Sequence, residues 1–245
     1  MKTLIIIPSR LSATRLPGKP LLKINGLSMI SHVFKKAEEA NIGEVVVATE
    51  DQEIMDDVKK NGGQAILTRK NHKTGTDRIF EAFQKLDNSN FDLVMNLQGD
   101  EPLMNIDDIR QLNSQMMKSN CNLGTLASKI LDTKLYENQN VVKAITKENL
   151  NNSNFPEAIN FMRKISEQYE YIYHHLGIYC YEKETLKKFV SYEQSSNEIK
   201  NNLEQLRAID NKIKINVALA KSSPIGVDTE EDLVAIKKLM EYKSK

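Results

Sequence analysis

The chain has 245 residues, enough for a sizeable core, and its 34 Lys+Arg nearly cancel its 33 Asp+Glu. That balance leaves no global basic field for nucleic acid, so any anion site must be local. Met1-Lys2-Thr3 followed by four apolar residues is too short for a signal peptide or a membrane span, and a soluble cytoplasmic protein is expected.

Leu4–Ile7 reads as a first buried strand. A loop follows, and then Ser28–Ala40, with Met29, Ile30, Val33, Phe34 and Ala37 at helical spacing. Glu44–Glu50 reads as a strand, Gln52–Asn61 as a helix closed by Gly62-Gly63, and Ala65–Leu67 as a short strand. Asp77–Leu86 is expected to be a helix that Thr76 or Asp77 caps. "FDLVMNLQGDEP" starts as a strand and ends in a polar turn, and Ile106–Lys118 is helical again. Strands alternating with helices imply an α/β fold with a mostly parallel sheet, whose ligands sit beyond the carboxyl ends of the strands. The second half is less regular. "NLGTLASKI" and "NVVKAIT" are strand candidates, the second an edge candidate, and "NNSNFPEAIN" reads as a turn-rich break. Tyr171–Tyr181 alternates aromatic and polar residues. Leu203–Ile209 looks helical, Ile213–Ala218 strand-like, and Glu230–Tyr242 is a terminal helix. One domain with an inserted, less regular subregion is expected. Cys121 and Cys180 lie far apart with no C-x-x-C, which suits packing thiols in a reducing compartment.

Four stretches carry candidate chemistry. "PSRLSATRLPGKP" (Pro8 to Pro20) holds Arg10, Arg15 and Lys19 with no acid, and its prolines stiffen the loop. It reads either as a solvated basic loop or as an anion site in which Arg10 grips phosphate and Lys19 adds a point charge. In "NHKTGTDRIFEAF", Arg78 lies in the first helical turn, where a cation opposes the helix dipole unless an anion is near. This stretch is either an ordinary capped helix or one end of an anion site. "VMNLQGDEPL" brings Gln98, Gly99, Asp100 and Glu101 to a strand end, as an acidic turn or as a holder of Mg²⁺. In "PIGVDTEEDL", Thr229 and Asp232 suit a helix cap, and Asp228 is a second candidate metal ligand. His174 and His175 point to opposite faces of a strand and cannot readily share an ion, so no zinc site is expected. No G-x-S-x-G elbow is present.

Taken in order, "PSRLSATRLPGKPL", "TGTDR", "NLQGDEP", "HLGIYCY", "LEQLR" and "GVDTEEDL" resemble the bacterial 3-deoxy-manno-octulosonate (Kdo) cytidylyltransferases over nearly the whole chain. The resemblance implies a Rossmann-like nucleotidyltransferase fold over residues 1–245, Mg²⁺ as cofactor, and a homodimer. Residues from about 155 to 215 would contribute the sugar pocket and dimer contacts. The implied reaction joins CTP and Kdo into CMP-Kdo with release of pyrophosphate, for lipopolysaccharide synthesis, with no nucleic-acid or membrane partner. By matching motif, Arg10 and Lys19 would bind the triphosphate, with Ser12 and Ala13 in the same nucleotide-binding loop. Arg69, Thr76, Arg78 and Gln98 would surround the nucleotide. Asp100 and Asp228 would ligate Mg²⁺, and the catalytic group would be Arg10, Lys19, Asp100 and Asp228. Arg163, His175, Tyr179, Glu204 and Gln205 would line the Kdo pocket, with Arg163 the candidate for the sugar's carboxylate. The chain departs from the family pattern in two stretches: Ala13 replaces a serine, leaving only a backbone N–H role there, and in "NFMRKISEQ" Met162 replaces a serine, no proline follows Ile165, and the loop before "YIYHHLGIY" is short.

Overall fold

A computed structural model of the chain describes residues 1–12, 16–86, 90–165, 167–223 and 226–243, with 241–243 described by backbone alone. The residues group into two compact units. One takes Lys2–Phe91, Asn96–Ile106 and Pro224–Lys245; the other takes Met1, Asp92–Met95 and Asp107–Ser223.

The first unit is built on β1 (Thr3–Ser9), whose Leu4, Ile5, Ile6 and Ile7 are wholly buried. A continuous apolar run is what a strand covered on both faces requires. A small hairpin follows, β2 (Lys23–Ile24) and β3 (Leu27–Ser28). Next comes α1 (Met29–Glu39), which buries the expected stripe and is capped by the Ser28 hydroxyl accepting from Ser31 N at 3.2 Å. The unit continues through β4 (Gly43–Thr49), α2 (Gln52–Lys60), β5 (Ala65–Leu67) and α3 (Gly75–Lys85). β4 lies parallel to both β1 and β5. The expected start of α3 is corrected: neither Thr76 nor Asp77 is its cap. Thr74 accepts from Asp77 N and the Asp77 carboxylate accepts from Thr74 N, both at 3.2 Å, a reciprocal box that starts the helix two residues earlier.

The chain then forms β6 (Leu93–Asn96), α4 (Ile106–Lys118), β7 (Leu123–Ser128), β8 (Lys143–Thr146), β9 (Ala158–Met162) and β10 (Ile172–Glu182). It goes on to α5 (Lys183–Ser191), α6 (Ser196–Asn201), α7 (Leu206–Asp210) and β11 (Asn216–Leu219). In the second unit the strands run in the order β11-β7-β10-β6. β11 is parallel to β7, whereas β10 is antiparallel to β7 and β8. The "NVVKAIT" strand is not an edge: β8 is flanked by β10 and by β9, and β9 occupies part of the stretch read as a break.

α8 (Glu230–Lys243) returns to the first unit, with Thr229 and Asp232 forming its cap through bonds of 2.9 and 3.2 Å, as their spacing suggested. No described helix is long and apolar enough to cross a membrane.

Candidate active site

The loop after β1 is held at both ends. The Asp51 carboxylate accepts from Leu11 N at 2.7 Å. Gly18, at φ 68°, donates its N–H to Leu11 O at 3.2 Å, closing the loop on itself. That left-handed backbone favours glycine. Leu16 is buried in a cluster with Ile24, Met29, Val227, Leu233 and Ile236. Arg10 and Ser12 are exposed between these anchors. Ala13 lies outside the described residues, as does Arg15. Lys19 then opens a 3-10 turn, Lys19–Leu21, with Pro20 buried beneath it.

The Lys19 amine joins three separate motifs. It donates to Asp100 Oδ2 at 2.7 Å, to Asp228 Oδ1 at 3.3 Å and to the Val227 carbonyl at 2.7 Å. Asp100 is delivered by the exit from β6, where Gly99 sits tightly against its neighbours. A Cβ at Gly99 would lie 3.2 Å from the Pro8 carbonyl and 3.3 Å from Ile30 Cδ1. Val227 N donates to Asp100 O at 3.0 Å, tying the segment before α8 to the same turn. Beside them, the buried Oε2 of Glu101 has no hydrogen-bond partner. Burial, with repulsion from Asp100 and Asp228, pushes the Glu101 carboxyl up to about 8, against the pull of Lys19.

This donor set fits Mg²⁺. Asp100 and Asp228 supply hard carboxylate oxygens around one cationic group, and the unbonded Glu101 carboxyl oxygen lies next to them. Mg²⁺ typically takes one or two carboxylates and fills its remaining positions with water and phosphate. Among the described residues no group of three or more His, Cys, Asp or Glu forms an all-protein cage.

The other nucleotide candidates take different surroundings. Arg78 is buried, donating to Thr68 Oγ1 at 2.7 Å and paired with Glu50. Glu50 is thus an anion that offsets this cation in the first turn of α3. Thr76 is buried in that turn, and Gln98 is half-buried after β6. Arg69 is held by Glu81, which accepts from Arg69 N at 3.0 and 3.1 Å and from its Nε at 3.3 Å. His72 Nε2 at 2.5 Å and Lys85 Nζ at 2.8 Å converge on the same carboxylate. Burial raises the Glu81 pKa, but the hydrogen bonds from Lys85, Arg69 and His72 outweigh it and hold the pKa at about 2.

The sugar candidates all belong to the second unit. β10 shifts register between Leu176 and Tyr179. His175 and Tyr179 are both buried, with ring centroids 5.5 Å apart. Thr125 donates its hydroxyl proton to the Ile178 carbonyl at 2.6 Å and faces His175 Nε2 at 3.0 Å, so the imidazole proton resides on Nε2. Burial, then the neighbouring His174, pushes His175 down to about 3, so the ring is neutral near pH 7. Burial also raises the Tyr179 phenol, with Tyr181 and Glu204 adding to the shift. Glu204 is half-buried and Gln205 buried, just before α7. That turn is braced by Arg207, which pairs with Glu198 at 2.8 and 2.7 Å and lies 4.7 Å from the Phe189 ring centroid. The Arg163 guanidinium donates to the carbonyls of Asn201, Gln139 and Asn202 at 3.1, 3.2 and 3.2 Å.

Residues 4–215 match a family model described as Cytidylyltransferase. A 3-deoxy-manno-octulosonate cytidylyltransferase of Nitrobacter winogradskyi is 41% identical over 241 residues, which is 98% of this chain and 94% of that protein. The protein of the same name from Rhodopseudomonas palustris is 42% identical over 243 residues, 98% of each chain. The chain belongs to the 3-deoxy-manno-octulosonate cytidylyltransferase family.

As a member of that family it is a nucleotidyltransferase with a Rossmann-like α/β fold. A solved CMP:2-keto-3-deoxy-manno-octonic acid synthetase complexed with CTP superposes with a TM-score of 0.89 at 33% identity, covering 99% of this chain and 100% of that one. A UDP-glucose pyrophosphorylase complexed with UDP-glucose shares the fold, with a TM-score of 0.71 at 15% identity and full coverage of both chains. Of the candidate residues, the structure brings Lys19, Asp100 and Asp228 into direct contact, and His175 and Tyr179 into ring contact. The motifs alone did not disclose Glu81 or the Glu198–Arg207 pair. The signal available for both acids was an acid on the buried face of a short helix, where a partner is obligatory.

Proposed function

We propose that this chain activates the acidic sugar Kdo with CTP, giving CMP-Kdo and pyrophosphate for lipopolysaccharide synthesis. The observation that carries this reading is the meeting of Lys19 with Asp100 and Asp228 at the strand ends of the first unit. The sugar's anomeric hydroxyl attacks the α-phosphorus of CTP and pyrophosphate leaves. Such a transfer needs positioning and charge neutralisation more than covalent help. Arg10 and Lys19 meet the triphosphate, and Ser12 and Ala13 would bind the nucleotide from the same stretch of sequence. Arg69, Thr76 and Gln98 line the nucleotide, while Arg78 serves it indirectly by bracing α3 against Glu50. Asp100 and Asp228 would hold Mg²⁺, which when bound supplies positive charge to the phosphates and acidifies the attacking hydroxyl. Arg163 faces the sugar's carboxylate, and Tyr179, Glu204 and Gln205 bind its hydroxyls. His175 contributes as a neutral hydrogen-bonding ring and not as a general base, which agrees with its depressed pKa. The enzyme acts in the cytoplasm as a homodimer, a state that sedimentation would test.

The deciding experiment is pyrophosphate release with CTP, Mg²⁺ and a panel of acidic sugars. Release with Kdo in preference to a sialic acid or an amino-Kdo is the expected result. Preference for another sugar would reassign the substrate, and no release with any of them would leave only a nucleotide-binding protein.

A further inference from the structure

Two cations of the second unit are spent on backbone carbonyls. Lys143, in β8, is wholly buried, and its ammonium donates to Asn138 O and Arg163 O, both at 2.7 Å. The Arg163 guanidinium in turn donates to the Gln139, Asn201 and Asn202 carbonyls. Together the two side chains stitch the 138–139 turn, the end of β9 and the end of α6. Among the described residues no carboxylate pairs with either cation. A buried ammonium without a counter-charge is costly, and neutral donors could have held the same carbonyls. The two charges also oppose one another: burial and then Arg163 lower the Lys143 pKa. His174 is the cross-strand partner of Lys143, and its own pKa is lowered by burial and then by Lys143. Two cationic groups thus lie together with no described carboxylate to offset them.

We infer that Lys143 is a positioning residue for the acidic sugar: its amine fixes the Arg163 turn, and its charge adds to that of the guanidinium in selecting a substrate carboxylate. This rests on the function proposed above. Arg163 touches the substrate in that reading, whereas Lys143 acts through it.

The test compares Kdo with its neutral methyl ester in wild type and in Lys143→Gln. Glutamine keeps a donor for the two carbonyls and removes the charge. Expected is a rise of at least about tenfold in the KM for Kdo, the scale of one charge-assisted interaction, with the KM for CTP within about twofold of wild type. The ester, having no charge to select, should respond equally in both proteins. An equal loss on acid and ester would reduce Lys143 to a structural role and overturn the inference, as would an unchanged KM for Kdo in a folded variant. Should Lys143→Gln fail to fold, Lys143→Arg carries the test: a retained preference for acid over ester supports the inference, and a lost preference with the charge kept overturns it. If wild type releases no pyrophosphate with CTP and Kdo, the functional reading itself fails and takes this inference with it.

Discussion

Lys19 Nζ lies 2.7 Å from Asp100 Oδ2 across 81 positions of sequence, and the same amine reaches Asp228, 209 positions away. One cation thus closes the loop after β1, the turn after β6 and the cap of α8 into a single charged centre. Two carboxylates face one ammonium there, and Arg10 is exposed on the loop beyond.

Asp100→Asn keeps an acceptor oxygen and the side-chain size but removes the charge. Turnover should fall by at least about a hundredfold, the scale of losing one preorganised electrostatic group. The thermal midpoint should move little, because Lys19 retains the Val227 carbonyl and Asp228. Pyrophosphate release beside a melting curve checks both. Near-normal turnover would remove Asp100 from the chemistry, and Asp228→Asn carries the same expectation.

Lys19→Met removes the cation common to all three motifs. Asp100 and Asp228 would then repel one another without the ammonium between them. Turnover should again drop at least about a hundredfold, and CTP affinity should weaken, read by titration with CTP alone. Unchanged CTP affinity would show that Lys19 serves the carboxylates and not the triphosphate.

Much of the fold was legible because strong periodicity and clear caps agree. Ile106–Lys118 is a helix over that full span, Ala65–Leu67 a strand, and the α1 stripe is the buried one. β9 was hidden because Asn and Pro signals precede it and its support is non-local: Lys143 to Thr146 of β8 pair with Met162 to Ala158. The site divides in the same way. Motifs marked Lys19, Asp100 and Asp228 individually, but no spacing rule states that residues 81 and 209 positions apart will touch. Arg78 shows a related limit of spacing. A first-turn cation does call for an anion, yet sequence does not say whether that anion is a ligand or a side chain such as Glu50, with which it pairs.

Arg78→Met separates those two cases. It leaves Glu50 without its buried partner and Thr68 without its donor. Breaking a buried pair from one side costs about 3–5 kcal/mol, so urea unfolding should register a loss of that order. Replacing both partners, as Arg78→Met with Glu50→Leu, should recover part of it. A stability equal to wild type in the single variant would mean that Arg78 is held for the nucleotide and not for the fold.

His175 makes acid sensitivity measurable at one residue. Its folded pKa of about 3 lies below the ordinary value of 6.5 because the buried ring resists taking a charge. The unfolded chain accepts a proton at His175 as pH falls through 6.5, while the folded chain does so only near 3. The contribution is therefore complete above 6.5 and is lost progressively as pH falls towards 3. Well inside that window the slope from this one group approaches about 1.4 kcal/mol per pH unit. Glu81, with a pKa held at about 2 against an ordinary 4.5, adds its own loss only at lower pH, and Glu101, raised to about 8 from 4.5, titrates with the opposite sign in both proteins, so the difference between variant and wild type at about pH 5 to 6 isolates the histidine. His174 titrates with the same sign but is present in both proteins under comparison. His175→Gln keeps a hydrogen-bonding side chain opposite Thr125 and removes the titration. Urea midpoints of the variant should fall less steeply than wild type over that range. Parallel slopes in the two proteins would show that the buried ring is not coupled to folding.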